Sequence, residues 1–301
     1  MKKVLSLSLA LALVLSLAGC AGQPSGGDAS SPSPSASAAS PSVSPSAAPA
    51  PEAQPVELIV FAAASMTETM NQIAEMYKEV APNVTLVYNF DSSGTLKTQI
   101  QEGADCDIFI SAAQKQMNQL DSSRDAEGGN TEGLDFVLQG TRTDLVENKV
   151  VLVAPEGNPA GVSSFDDVAT DKVKLIALGN SDVPVGQYSE EIFTNLGVWD
   201  ALNAEQKITF GTNVKEVTSQ VAAAAVDCGV IYATDAFSAI ANGDAMEIVT
   251  EAPAGSHKQV IYPAAVLNVT KHEDEAKAFL EYLTGDACSA VFQSVGFSIP
   301  G

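Results

Sequence analysis

Two short polar segments each follow an apolar run and precede an amphipathic stretch. Ser65 ends the segment FAAAS (residues 61–65), and Ser93 lies within FDSSGT (residues 90–95). A serine at the start of a helix places its hydroxyl beside amide N–H groups that have no intrahelical partner, where the helix dipole favours negative charge. The chemistry that these residues support is therefore the binding of an anion by neutral donors.

Each serine alone has a simpler explanation, because serine before a helix is first of all a helix cap. Ser65 even opens an S-x-x-E pattern with Glu68, which predicts a capping box. The pairing of the two segments is more informative. Helices that follow two neighbouring strands of one sheet begin at the same carboxyl edge, where α/β proteins bind ligands.

Strand-like apolar runs recur along the chain and alternate with helix-like segments. The runs cover residues 58–61, 84–88, 107–110, 150–153, 175–178, 229–232 and 264–267. This alternation predicts an α/β protein built on mostly parallel sheets.

Helices are predicted in four places from apolar spacing and from start and stop residues. They follow Ser65 as far as Pro82, begin near Thr95, and cover residues 187–196 and 273–283. The polar, glycine-containing stretch 121–140 is interpreted as an irregular loop or short helices.

The net charge of −22, without a basic cluster, argues against nucleic acid or an anionic membrane surface as the direct partner. A small anion is compatible with this charge, since salt screens long-range repulsion beyond roughly 8 Å.

Enzyme motifs are absent from the sequence. The chain has two histidines, His257 and His272, and contains no G-x-S-x-G, no phosphate-binding P-loop motif and no H-E-x-x-H. Neither Ser65 nor Ser93 has an obvious activating base, which argues against a serine hydrolase. We therefore predict a protein that is not an enzyme, with no cofactor and no side chain that binds a metal directly.

The first residues are typical of an exported, anchored protein. Residues 1–19 have a short basic start and an apolar run, as in a secretory signal peptide. Cys20 ends a segment that resembles the bacterial lipobox and is the predicted lipidation site. Residues 20–55 are mostly Pro, Ser, Ala and Gly, which predicts a disordered linker. The sequence thus predicts a lipoprotein on the extracytoplasmic face of the cell membrane, typical of Gram-positive bacteria.

Three further cysteines, Cys106, Cys228 and Cys288, allow at most one disulfide within a monomer, and their spacing selects no pair. We expect all three to be reduced and at least partly buried.

Several motifs in order resemble one family. They lie at residues 61–67, 92–96, 103–112, 179–188 and 229–236, and together they resemble the molybdate-binding protein of ABC transporters. The resemblance implies a two-lobed periplasmic-binding-protein fold (type II) with a ligand cleft between the lobes. It places residues 56–147 and 262–301 in lobe I and residues 148–261 in lobe II.

The same resemblance implies a set of oxyanion contacts. Ser65 and Ser93 would contribute hydroxyls and amides from lobe I. Lobe II would contribute the amides of Val185 and Val214 and the hydroxyl of Tyr232. The implied ligand is molybdate or tungstate, the implied partner is an ABC transporter permease, and the protein is expected to be a monomer.

Other functions are also compatible with parts of the sequence. Asp91 could accept a hydrogen bond from hydrogenphosphate, so a binding protein for another oxyanion such as phosphate or sulfate is the main alternative. We expect Asp91 instead to point away from the anion and to bond backbone amides as an Asx turn. Organic-acid sites usually contain an arginine fork, whereas Arg124 and Arg142 lie away from the predicted cleft edges. A cell-surface adhesin would explain the linker but not the clustered donors.

Overall fold

The computed structural model describes residues 54–124 and 128–300. The predicted signal peptide, Cys20 and nearly all of the predicted linker lie outside these residues. No helix within the described residues is long and apolar enough to cross a membrane.

The first sheet has five strands. In spatial order they are β2 (Val84–Asp91), β1 (Val56–Ala63), β3 (Ile108–Ile110), β10 (Val260–Val266) and β4 (Thr143–Asn148). β1 is parallel to β2 and β3, whereas β10 is antiparallel to β3 and β4. The parallel strands thus lie at one side of the sheet, with both serine segments at their carboxyl ends.

The second sheet repeats this arrangement. Its order is β7 (Ile208–Gly211), β6 (Ile176–Gly179), β8 (Cys228–Tyr232), β5 (Val150–Pro155) and β9 (Met246–Glu251). β6 is parallel to both neighbours, and β5 is antiparallel to both of its own. The α/β class is confirmed, but the prediction of mostly parallel sheets is wrong, because half the pairings are antiparallel. Apolar runs identify strands without showing their direction.

Nine helices pack on these sheets within the described residues. They are α1 (Thr67–Val80), α2 (Ser93–Gln101), α3 (Gln114–Leu120), α4 (Pro184–Asn195), α5 (Trp199–Ala204), α6 (Val214–Ala222), α7 (Ala233–Ala241), α8 (Glu273–Leu283) and α9 (Asp286–Ser294). The first sheet with α1, α2, α3, α8 and α9 forms lobe I, and the second sheet with α4 to α7 forms lobe II. The predicted helices correspond to α1, α2, α4 and α8, and the described residues of 121–140 contain no helix.

The chain passes from one sheet to the other in two places. Lys149 separates β4 from β5, and residues 252–259 join β9 to β10. β10 includes the expected boundary between residues 261 and 262, so the precise division into lobes stays a prediction.

The three cysteines of the described part of the chain are free and buried. Burial raises the pKa of the Cys228 thiol to about 12 and that of Cys288 to about 11. The expectation of reduced cysteines is confirmed, and their thiols serve the packing of the lobes.

Candidate anion-binding site

The five predicted contact residues all lie where a strand ends or a helix begins, and none is more than 6% exposed. They are Ser65 after β1, Ser93 at the start of α2, Val185 in the first turn of α4, Val214 at the start of α6 and Tyr232 at the end of β8. Lobe I thus contributes two of these positions and lobe II contributes three.

Ser65 does not cap a helix. It lies in a 3-10 turn, Ala64–Met66, and α1 begins only at Thr67 without a side-chain cap. The Ser65 hydroxyl instead lies 2.8 Å from the hydroxyl of Tyr262, a residue of β10. The predicted capping box is therefore wrong, because the tight turn directs Ser65 toward a distant tyrosine rather than toward its own helix.

Ser93 has a different neighbour. Ser92 caps α2 by accepting a hydrogen bond from the amide of Thr95 (3.1 Å), which leaves Ser93 as the first helical residue. The Ser93 oxygen accepts a hydrogen bond from the amide of Ala112 at 2.9 Å, and the residue is fully buried. Because that oxygen already accepts, the hydroxyl proton is available to another acceptor.

Tyr232 carries a buried hydroxyl with no hydrogen-bond partner among the described residues. Its ring lies 5.8 Å from the ring of Tyr262, centroid to centroid. Burial, followed by the proximity of Tyr262, raises the pKa of Tyr232 well above its usual value, so the phenol keeps its proton. An unpaired buried hydroxyl is costly, and an acceptor at this position would remove that cost.

Val185 and Val214 can contribute only backbone groups. Pro184 is the first residue of α4 and Val185 the second, while Val214 follows the cap residue Asn213, which accepts from the amide of Glu216 at 3.1 Å. Amides in the first turn of a helix lack intrahelical partners and point out along the axis. Both valine side chains are buried and anchor these helix starts.

The lobes touch around these residues. In lobe I, the amide of Gly94 donates to the carbonyl oxygen of Asp182 in lobe II at 3.1 Å. The side-chain amide of Asn213 donates to Asp91 across the same boundary at 3.3 Å. The 3-10 turn that contains Ser65 packs on α6. The segments that carry the five predicted residues therefore adjoin at this boundary, and their convergence on one anion stays a prediction.

A charged group also crosses the boundary. Lys215 lies 2.9 Å from Glu68 of lobe I and 3.1 Å from the buried carboxylate of Asp235. Burial alone lowers the pKa of Lys215, but Asp235 and Glu68 outweigh it and hold that pKa above its usual value. Burial raises the pKa of Asp235, although Lys215 opposes this. Lys215 thus provides the charge that allows a carboxylate to lie near the site.

Asp91 is also engaged with the protein. Its carboxylate accepts from the amide of the next residue, Ser92, at 2.7 Å, and from Asn213. Asp91 does bond a backbone amide, but the predicted Asx turn is wrong, because the amide belongs to the adjacent residue and not to the second one along. Asp91 therefore links the lobes.

The two arginines lie in another part of lobe I. Arg142 donates to Asp121 at 2.8 Å and also bonds Gln114 and Asn118, and Arg124 lies 3.9 Å from Asp121. These groups hold the loop after α3 in place, as expected for arginines outside the cleft.

Sequence reasoning missed several residues of the site, among them Tyr262, Asn148, Lys215 and Asp235. Tyr262 lies in β10 just before Pro263, and the apolar run that predicts this strand begins only after the proline, at residue 264. Asn148 is the last residue of β4 and lies between the charged residues Glu147 and Lys149. The local sequence around Tyr262 and Asn148 does not indicate their roles, because their hydrogen-bond partners are distant in the chain.

Comparison with known proteins gives a consistent result. Residues 58–298 match a family described as bacterial extracellular solute-binding protein. The chain is 36% identical over 244 residues to Bacillus subtilis YvgL, which bears the name of an ABC transporter substrate-binding lipoprotein; the match covers 81% of this chain and 86% of that protein. It is 34% identical over 250 residues to the molybdate-binding protein ModA of Escherichia coli, with coverage of 81% and 89%.

Solved structures are similar as well. The periplasmic molybdate-binding protein of Azotobacter vinelandii superposes with a TM-score of 0.68 at 25% identity, covering 81% of this chain and 100% of that chain. This similarity, together with the two sheets and their helices, establishes a two-lobed periplasmic-binding-protein fold.

Proposed function

The chain belongs to the bacterial extracellular solute-binding proteins, and from that premise we propose that it captures molybdate or tungstate and delivers the anion to an ABC transporter permease. It is a binding protein rather than an enzyme. The anion is its cargo, and the site needs no cofactor.

The observation that carries the proposal is the state of the hydroxyl groups. The oxygen of Ser93 is already an acceptor for the amide of Ala112, and the Tyr232 hydroxyl is buried without a partner in the described part of the chain. Both hydroxyls lie with helix starts at the boundary between the lobes. Such a set offers hydroxyl protons and helix-start amides to a ligand, which suits an oxyanion that carries no proton.

The carboxylates near the site support the same ligand class. Asp91 accepts from Ser92 and Asn213, and Asp235 is paired with Lys215. Asp91 is thus already engaged as a hydrogen-bond acceptor, and the charge of Asp235 is balanced by Lys215, which leaves less capacity to accept a hydrogen bond from hydrogenphosphate. Molybdate and tungstate are unprotonated dianions at neutral pH, so they fit a site made of donors. Sulfate has shorter bonds to its central atom and would leave some donors too far away, at about 1–3 kcal/mol for each unpaired group.

The division of contacts between the lobes provides the mechanism. An anion held by Ser65 and Ser93 on one side and by Val185, Val214 and Tyr232 on the other stabilises the closed arrangement over an open one. The closed form then presents a surface to the permease that the open form lacks. We propose that the protein acts as a monomer.

The predicted signal peptide and Cys20 support an anchored protein. A lipid on Cys20 and the Pro-rich linker would hold the two lobes near the outer face of the membrane, where the permease lies. Metabolic labelling with a palmitate analogue tests this anchor. We expect the wild-type chain to be labelled and Cys20→Ala to be unlabelled, and equal labelling of the two chains would exclude a lipid on Cys20.

Calorimetric titration of the purified chain with molybdate, tungstate, sulfate and phosphate tests the function. We expect binding of the first two anions. Ser93→Ala and Tyr232→Phe should each weaken it, because a hydrogen bond to a charged group contributes about 1.5–3 kcal/mol, or roughly a tenfold to hundredfold change in Kd.

Tyr88→Phe is the matched control. Tyr88 also has a buried hydroxyl without a partner among the described residues, but its ring stacks on Phe90 at a centroid distance of 5.0 Å in lobe I. Its removal should leave Kd unchanged. Tight binding of phosphate but not of molybdate would refute the proposal.

A further inference from the structure

We propose that Asn148 and Tyr262 form a hydrogen-bond relay that fixes the direction of the Ser65 hydroxyl, so that Ser65 donates its proton to the bound oxyanion. The inference deepens the proposed function and rests on it. Asn148 and Tyr262 would be positioning residues, since neither is among the predicted contacts of the anion.

The first step is the orientation of the Asn148 side chain. Its carbonyl oxygen accepts from the amide of Lys149 at 2.8 Å, which fixes which end of the side chain is the donor. Its NH2 group then donates twice, to the Thr234 hydroxyl at 2.9 Å and to the Tyr262 hydroxyl at 3.1 Å. Asn148 is only 8% exposed, so this arrangement is held within the protein.

The second step is the direction of the Tyr262 proton. Because an NH2 group can only donate, the Tyr262 oxygen must be the acceptor of the bond from Asn148. Its own proton is then free for the Ser65 oxygen, which lies 2.8 Å away. Burial, followed by the charge of Asp235, raises the pKa of Tyr262 well above its usual value, so this proton is retained.

The third step is the Ser65 hydroxyl itself. Once its oxygen accepts from Tyr262, its proton has to point elsewhere and is available to a bound anion. Ser93 reaches the same state by accepting from the amide of Ala112. The two serines of lobe I are thus both set as donors, one by a backbone amide and the other by a relay of side chains.

Asn148→Asp reverses this relay with little change in shape. A carboxylate accepts instead of donating, so the Tyr262 proton would turn toward it and the Ser65 proton would turn toward Tyr262. The anion would lose a donor and face a lone pair. We expect molybdate to bind at least roughly tenfold more weakly. Asn130→Asp is the control, since Asn130 is another buried asparagine that donates to carbonyl groups in lobe I, and its variant should retain wild-type Kd.

Tyr262→Phe interrupts the relay without reversing it and should cost roughly threefold to tenfold in Kd. This variant also allows a test that distinguishes the relay from a purely structural role of Asn148. In the Tyr262→Phe background, Asn148→Asp can no longer act on Ser65, so its additional effect should fall below roughly threefold. Effects that simply multiply would overturn the relay.

Acid should partly rescue Asn148→Asp. Burial raises the pKa of a carboxyl group, and the protonated form can again donate to Tyr262. The titratable groups that face Tyr262 are Tyr188, Tyr232 and Asp235, and Asp235 is paired with Lys215. Between about pH 8 and about pH 5.5, molybdate affinity of Asn148→Asp relative to wild type should therefore rise as pH falls.

Calorimetry of wild type and of these variants, with thermal unfolding of each in the absence of anion, decides the matter. The relay predicts that Asn148→Asp binds molybdate more weakly and that acid restores part of this binding. A folded Asn148→Asp with the Kd of wild type would overturn the relay and leave the proposed function intact. Should Asn148→Asp fail to fold, unchanged Kd in Tyr262→Phe has the same meaning. A wild-type chain that binds neither molybdate nor tungstate would refute the proposed function itself, and the relay with it.

Discussion

Gly94→Ala adds a methyl group at the point where the two lobes touch. A Cβ atom at this position would lie 2.2 Å from the carbonyl oxygen of Asp182 and 2.8 Å from its Cβ atom. Real Cβ atoms essentially never approach closer than 3.0 Å and ordinarily stay beyond 3.4 Å, so the groups must separate by about 0.8 Å (3.0 minus 2.2) to 1.2 Å (3.4 minus 2.2). The obstacle is backbone and cannot rotate away.

The loop that carries this carbonyl group is itself held in place. The side chain of Asn180 accepts from the amide of Asp182 at 2.9 Å, and the backbone oxygen of Asn180 accepts from the amide of Val183 at 3.0 Å. The strain is therefore expected to separate the lobes rather than distort the loop. Separation would also break the bond from the Gly94 amide to Asp182.

The magnitude follows from these two losses. Overpacking costs about 1–3 kcal/mol and a hydrogen bond about 1 kcal/mol. Their sum, about 2–4 kcal/mol against the closed form, corresponds to a Kd for molybdate that is roughly thirtyfold to several hundredfold weaker. Lobe I itself should fold normally, because the backbone of Gly94 is not in the left-handed region that disfavours alanine.

Calorimetry and small-angle scattering provide the assay, with Gly103→Ala as the control. Gly103 has a φ of +90° and no heavy atom near its absent Cβ, so alanine there should lower the melting temperature and leave Kd unchanged. Gly94→Ala should do the reverse and should keep a larger radius of gyration in saturating molybdate. Wild-type affinity in Gly94→Ala would refute this account of closure.

The remaining predictions concern charges and thiols. Lys215→Met should lower the free energy of unfolding by about 3–5 kcal/mol, because it leaves the Asp235 carboxylate buried without a partner. Glu68→Gln should instead weaken anion binding more than it destabilises the fold. Equal melting temperatures for the two variants would contradict this. Hydrogen bonds from Ser123 and Arg142 outweigh burial and lower the pKa of Asp121 from 3.8 to about 2. The carboxylate therefore stabilises the fold above pH 3.8, and this contribution is lost as pH falls toward 2. Asp121→Asn should cost about 1–2 kcal/mol at neutral pH and flatten the acid unfolding profile; an unchanged profile would exclude the network. The Cys228 thiol should react with thiol reagents only on unfolding, which a fast reaction of the native protein would disprove.

The sequence by itself determined the strands and the places where polar residues follow them, because both signals are local. The apolar runs predict seven of the ten strands that lie within residues 54–124 and 128–300. The serine segments were found for the same reason, since a hydroxyl at a strand end needs no distant information to be recognised. The family resemblance then supplied Val185, Val214 and Tyr232, which carry no distinctive chemistry of their own.

Only the tertiary structure decided which groups these residues contact. Ser65 meets Tyr262, which is 197 residues away in the chain, instead of capping the helix that follows it. Strand direction was also undetermined, because burial patterns are the same for parallel and antiparallel neighbours. The orientation of a hydroxyl proton depends on every donor around it, and those donors come together only when the chain has crossed twice between the lobes.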